Sequence, residues 1–256
     1  MPVRCVAAIV LRTYRVGEAD KIVVFFTREM GKVRGIAKGA RRARSRFGGS
    51  LEIGTEVELT FFEKEGRDLS SVDRCDIVRS RFSQLGDPIL ATTLGYITDL
   101  ADAFLPERET NKRIYRLLRA AIGALSTPEA AETGARYFEA WLLRLSGVYP
   151  LRRDCPSCGK PLRALGAWFS FDERRLTCRR CREEVPRGFP ISTESLLFLD
   201  DVWRLPPDGL GGAAAPRVLA ELREFHYRLM QEHLEKDLKS HHVLEEMLRE
   251  TRGKDR

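Results

Sequence analysis

The sequence predicts a multidomain α+β protein: a small five-stranded barrel, then a helical region with a cysteine-bearing module inserted in it. Three observations predict this. Five short apolar runs with a period near two fill residues 5–78. From Asp87 onward the apolar period becomes helical. Four of the six cysteines then fall between Cys155 and Cys181, in two Cys-x-x-Cys pairs.

The strands are expected at 5–16, 20–28, 31–40, 56–65 and 69–78. Each is rich in β-branched or apolar residues, and 56–65 alternates best. Between the second and third, "REMGK" reads as a hairpin turn with Gly31 at the φ-positive position. Five short strands suit a small closed barrel, either an OB-fold or an SH3-like barrel; the count does not separate them. Adjacent aromatics on a strand point to opposite faces, so about one of each pair Phe25/Phe26 and Phe61/Phe62 is core. The others, with Phe47, are available for stacking on bases. Cys5 and Cys75 read as free, half-buried thiols on strands.

Helices follow at 87–105, 109–125 and 128–148. Asp87 caps the first, with Pro88 at its first helical position, and Gly147 ends the third. A fourth spans 192–205 behind a capping box at Ser192 or Thr193. Residues 206–216 read as a loop, and 217–250 as a long amphipathic stretch.

The spacing Cys155, Cys158, Cys178, Cys181 is that of a tetrahedral four-cysteine zinc site. Two disulfides are the alternative. The opening residues form neither a signal peptide nor a membrane span, which points to a reducing compartment and so to zinc. Four protein ligands leave no open position, so such a site is structural, with about one zinc per chain. A segment this short lacks a core of its own, and metal binding supplies roughly 10 kcal/mol or more of its folding free energy. Arg152, Arg153, Arg174, Arg175, Arg179, Arg180 and Arg182 surround it, either to bind nucleic acid or to offset the charge of four thiolates. Trp168, Phe169 and Phe171 suit the module's small core better than stacking on bases.

The formal net charge is +7, hydrophobic residues make up 43% and charged residues 32%, as for a soluble chain with a real core and an anionic partner. The basic residues Lys32, Arg34, Lys38, Arg41, Arg42, Arg44 and Arg46 fall in a stretch without an acid. Clustered guanidiniums between glycines 39, 48 and 49 suit phosphate contact on a pliable strand. A solvated basic loop and a nuclear-import tag are the competing readings. Catalytic constellations are absent: no P-loop, GxSxG or dinucleotide fingerprint, and four histidines late in the chain without HExxH.

The run "AIVLRTYRVGEADKIVVFFTREMGKVRGIAKGARRARSRFGG" resembles the opening of the RecO family, bacterial DNA repair and recombination mediators. The matching positions are Leu11, Glu18, Asp20, Phe26, Thr27, Gly31, Lys32, Lys38 to Arg42, and Ser45. The helical middle with four inserted cysteines is similar to zinc-bearing members, and "HLEKDLKSHHVLEEM" is similar to the closing helix. The resemblance implies an OB-fold at 1–82, a helical domain at 83–150 and 189–256, and a zinc-binding module at 151–188. It also implies a non-enzymatic protein of the cytoplasm and nucleoid, with neither membrane nor small-molecule substrate. Such a protein binds single- and double-stranded DNA, anneals complementary strands, and with RecR loads RecA onto DNA coated by single-stranded-DNA-binding protein (SSB). The acidic tail of SSB, with its terminal Phe, is then expected on the helical domain, and Lys112, Arg116 and Arg119 beside Ile114, Leu117 and Leu118 offer cations around an apolar stripe. One departure stands out: "RFGGSLEIGT" lacks the expected proline, which implies a longer or more mobile loop. Two other classes compete: an RNA-binding OB-fold and zinc-ribbon factor of translation or transcription, and a metal-dependent nuclease with acids distant in sequence.

Overall fold

A computed structural model of the chain describes residues 2–63, 69–150, 152–182, 187–210 and 214–254. The strands β1 (Val3–Val16), β2 (Asp20–Thr27), β3 (Gly31–Ala37), β4 (Glu56–Phe62) and β5 (Leu69–Arg79) close into a barrel in the order β1-β2-β3-β5-β4. Its neighbours are antiparallel except β3 and β5, which run parallel. One parallel pair in a five-stranded closed barrel of this order is the OB topology, which decides against the SH3-like alternative. The strands fall where the alternation places them. Lys64 and Glu65, the expected end of β4, lie outside the described residues.

The barrel core holds Val10, Val23, Phe25, Val57, Leu59, Phe61 and Val72. Phe26 faces the other way and is also fully buried, its ring 5.7 Å from that of Tyr115. Phe47 sits in the core as well. Of the aromatics expected to stack on bases only Phe62 keeps part of its surface in solvent. Tyr115 covers the outer face at Phe26, so both members of that pair find apolar surroundings. Cys75 is buried and Cys5 is exposed, so the half-buried expectation fails for both.

The helices are α1 (Pro88–Phe104), α2 (Lys112–Ala124), α3 (Pro128–Leu145), α4 (Leu162–Leu165), α5 (Thr193–Val202), α6 (Pro216–Leu234) and α7 (Lys239–Lys254). Asp87 caps α1 by accepting from the N–H groups of Ile89 and Leu90. Asn111 caps α2, which starts later than the apolar spacing suggests because Asn111 takes the N–H of Ile114. Ser192 caps α5. The long amphipathic stretch breaks at Glu235, φ +51°, into α6 and α7. Strands β6 (Ala167–Ser170), β7 (Arg175–Cys178) and β8 (Gly188–Ile191) form a small antiparallel sheet in the order β7-β6-β8.

The chain divides into two compact units: Met1–Ala131 with Leu238–Arg256, and Glu132–Asp237. The first holds the barrel, α1, α2 and α7. There Lys32 Nζ bonds the Asp102 carbonyl at 2.9 Å and its carboxylate at 3.0 Å, which ties β3 to α1. Ser240 donates to Asp99, which ties α7 to α1. The second holds most of α3, the small sheet, and α4 to α6. There the Trp141 indole N–H bonds the Val202 carbonyl at 2.9 Å, and Phe225 lies 5.4 Å from both Phe169 and Phe189. Among the described residues no helix is long and apolar enough to cross a membrane.

Candidate metal centre and nucleic-acid surface

The four-cysteine site is built by two turns. Gly159, φ +69°, closes a loop in which Cys155 N bonds Lys160 O at 2.9 Å and Gly159 N bonds Cys155 O at 2.8 Å. This places Cys155 and Cys158 side by side. Cys178 ends β7, and Cys181 N bonds Cys178 O at 3.0 Å, one tight turn on. All four Sγ atoms lie within 4.8 Å of one another. The Cys158 and Cys178 sulfurs are 3.8 Å apart. A tetrahedron with Zn–S bonds of about 2.3 Å has an S···S edge of about 3.8 Å.

The electrostatics fit a cation. Burial pushes the Cys155 thiol up, but the backbone N–H groups of Cys178, Ser157 and Cys158 outweigh it and bring it down to about 6. Cys178 N is 3.3 Å from the Cys155 sulfur. Cys181 moves the other way, to about 12, because its proton is shared with Cys158 and Cys178. A group of thiols this close loses its first proton easily and its last with difficulty unless a dication is present. The donor set and its spacing therefore fit zinc held by Cys155, Cys158, Cys178 and Cys181. Phe169 and Phe171 are buried here as expected, while Trp168 is half-buried under the Arg182 guanidinium, 5.0 Å from its ring. Arg152, Arg153, Arg174, Arg179, Arg180 and Arg182 are exposed, and Arg175 pairs with Glu173 at 3.1 Å.

The basic loop leaves β3 after Ala37. Its root is pinned to the β1–β2 turn: Gly39 N bonds the Asp20 carboxylate at 2.8 Å, and Arg41 N bonds Ala19 O at 2.8 Å. The Arg41 guanidinium reaches the carbonyls of Gly17 and Glu18. Arg46 lies over the Phe47 ring at 5.0 Å and bonds Val72 O at 3.4 Å. Beyond it a 3-10 turn, Gly48–Leu51, buries Ser50 and Leu51. The stretch lacking the expected proline packs on the barrel core through Phe47 and Leu51. Lys38, Arg41, Arg42, Arg44 and Arg46 are all exposed, on one organised loop.

Two predicted cations fall outside this surface. Lys32 is 6% exposed and pairs with Asp102 and Glu107. It is consumed in joining the barrel to α1, which a charge count along the sequence could not reveal. Arg34 is exposed but paired with Glu107 at 2.9 Å. On α2, Ile114, Leu117 and Leu118 are buried in their own unit, so they form no open apolar slot. Arg119 bonds Glu56 at 2.7 Å, while Lys112 and Arg116 are exposed. Sequence reasoning missed Arg79, Arg81 and Phe82; the only signal was a Phe directly after Arg79 and Arg81 at the end of a strand.

An OB barrel with an organised cationic loop thus shares this chain with a four-cysteine cluster that could hold a metal ion. Comparison with known proteins assigns its family. The family models "Recombination protein O N terminal" and "Recombination protein O C terminal" match residues 1–81 and 85–242. The DNA repair protein RecO of Koribacter versatilis is 37% identical over 232 residues, 90% of this chain and 93% of its own length. That of Anaeromyxobacter dehalogenans is 32% identical over 243 residues, 93% of this chain and 94% of its own. That of Halalkalibacterium halodurans is 28% identical over 240 residues, 93% of each. The chain belongs to the RecO family.

Proposed function

We propose that this chain is a DNA-binding recombination mediator of the cytoplasm that works without bond chemistry. It binds single- and double-stranded DNA, anneals complementary strands, and acts with RecR to load RecA onto SSB-coated DNA. The observation that carries this is the exposed, anchored loop of Lys38, Arg41, Arg42, Arg44 and Arg46 on an OB barrel. Neutralised phosphates repel each other less, and two strands held on one protein meet at raised local concentration. Arg41, Arg42, Arg44 and Arg46 replaced together by Ala should weaken DNA binding uniformly across sequences. The slope of log affinity against log salt should fall by roughly 0.7 per lost phosphate contact on single strands. Unchanged affinity and slope would place the DNA elsewhere. Single-stranded DNA and RNA of equal length, each with and without Mg²⁺, separate this reading from an RNA-binding factor and from a nuclease.

The acidic tail of SSB needs an apolar slot rimmed by cations. The second unit has a cleft of about 520 Å³ lined by Leu162, Leu199 and Trp203 and bordered by Arg144, Arg153 and Arg204. It supports the tail proposal better than α2, whose apolar stripe is covered. A labelled tail peptide should lose affinity with Arg204→Ala and keep it with Arg116→Ala plus Arg119→Ala.

A further inference from the structure

The first unit carries a second cationic patch. Glu56, the first residue of β4, is 5% exposed and receives three guanidiniums. Arg119 Nε lies 2.7 Å from one carboxylate oxygen; Arg81 at 3.2 Å and Arg79 at 4.0 Å share the other. Three cations against one carboxylate leave a local excess of two positive charges. Burial holds Arg81 below its usual range; Glu56 opposes this, and Arg79 and Arg119 act with burial. The Arg79 and Arg119 side chains are about half exposed, and Arg116, one turn before Arg119 on α2, is exposed as well. The field therefore favours one more anion at the surface.

An independent observation lies beside it. Phe82 is 76% exposed, and Val78 and Ile77 on the same segment are 65% and 49% exposed. The Phe82 N–H is held by the Ser80 hydroxyl at 3.2 Å, so the ring sits on an organised turn. Phe82 directly follows Arg81 in the chain, and a ring this exposed buries little apolar surface in the fold. It is the composition of a stacking platform for an unpaired base, with cations for the flanking phosphates. A paired base hides both faces in the duplex stack, so the occupant is a single strand.

We propose that Phe82 with Arg79, Arg116 and Arg119 forms a second single-stranded DNA site, separate from the basic loop. Arg46 of that loop meets β5 at Val72, and Arg79 lies seven residues further along the strand. At about 3.3 Å per residue this is a separation of about 23 Å. One barrel then holds two strands at once, which is what annealing requires. This rests on the DNA-binding reading above.

The test uses the full chain with an oligothymidylate and a duplex, by fluorescence anisotropy. Phe82→Ala should weaken single-strand binding roughly fivefold or more and leave the duplex unchanged, because stacking is lost from unpaired bases alone. Arg79→Ala plus Arg116→Ala should lower the single-strand salt slope. Phe82 is exposed, so its variant should melt with the parent. If both variants bind the single strand as the parent does while the loop variant is weakened, the patch is not a site and the DNA reading stands. If Phe82→Ala weakens single strand and duplex equally, stacking is refuted. If the variants spare DNA and lose an acidic peptide instead, the patch serves a protein. If the parent binds neither polymer, both readings fall.

Discussion

Arg136 and Glu139 are fully buried, one turn apart on α3, and form an ion pair. His226 of α6 adds its Nδ1 at 2.9 Å from the same carboxylate, and Tyr149 OH lies 3.2 Å from its Nε2. A neutral imidazole satisfies both: Nδ1–H donates to Glu139 and Nε2 accepts from Tyr149. Burial pushes Glu139 up, but Arg136 and His226 outweigh it and bring it down to about 2. Burial lowers His226 despite Glu139. Both shifts act in one direction. The unfolded chain takes a proton on His226 below its ordinary value near 6.5, and on Glu139 below 4.5, before the folded unit does. Stability of the second unit is thus present above about pH 6.5 and should fall as acid is added, first through His226, then through Glu139 down to about pH 2. Tryptophan fluorescence melts between about pH 7 and 5.5 check the first part, since Trp141, Trp168 and Trp203 all lie in this unit. His226→Gln should flatten that dependence. Glu139→Gln removes the carboxylate from a fully buried ion pair and should cost about 3–5 kcal/mol at neutral pH.

The β2–β3 hairpin shows how one backbone position holds an element to its neighbours. Gly31 has φ +69°, and an added Cβ would sit 2.1 Å from the Glu109 carbonyl oxygen. The turn is closed by Thr27, whose hydroxyl donates to Gly31 O at 2.9 Å and accepts from Met30 N at 3.0 Å. Gly31→Ala combines backbone strain with a clash against main chain, which cannot swing aside, and should destabilise the first unit by more than about 1 kcal/mol. Gly49 has open space, so Gly49→Ala should stay within about 0.5 kcal/mol of the parent. Far-UV circular dichroism in urea separates the two outcomes. The same logic explains α6 and α7. Their apolar period runs on through Leu234 and Leu238, but Glu235 takes a left-handed conformation and the two helices serve different units.

Zinc makes a prediction about the molecule as two units. Metal analysis of protein purified without chelator should find about one zinc per chain. Chelation, or Cys155→Ser, should remove it and lower the melting of the second unit, read by tryptophan fluorescence. The barrel lies in the other unit and should keep its dichroism transition. Protein that contains no metal, or a barrel that unfolds together with metal loss, would overturn this assignment. The two-unit division predicts two separable unfolding transitions rather than one melting temperature.

The alternation of apolar residues determined the barrel strands, because a strand's two faces meet different surroundings at every second position. Asp87, Ser192 and Gly147 marked helix ends, since capping and left-handed backbone depend on local chemistry. The four cysteines named their own site, because a metal needs a few ligands at short spacing and little else. Tertiary structure decided what depends on partners far along the chain. It withdrew Lys32 from the basic surface, since Asp102 lies 70 residues away. It buried Phe25 and Phe26 alike, covered the α2 stripe, and shared the helices between two units. It also gathered Arg79, Arg81 and Arg119 from a strand, a turn and a helix around Glu56. Local periodicity records whether a residue is covered, but not by what, and charge becomes a binding surface only after the fold has paired off the charges it needs for itself.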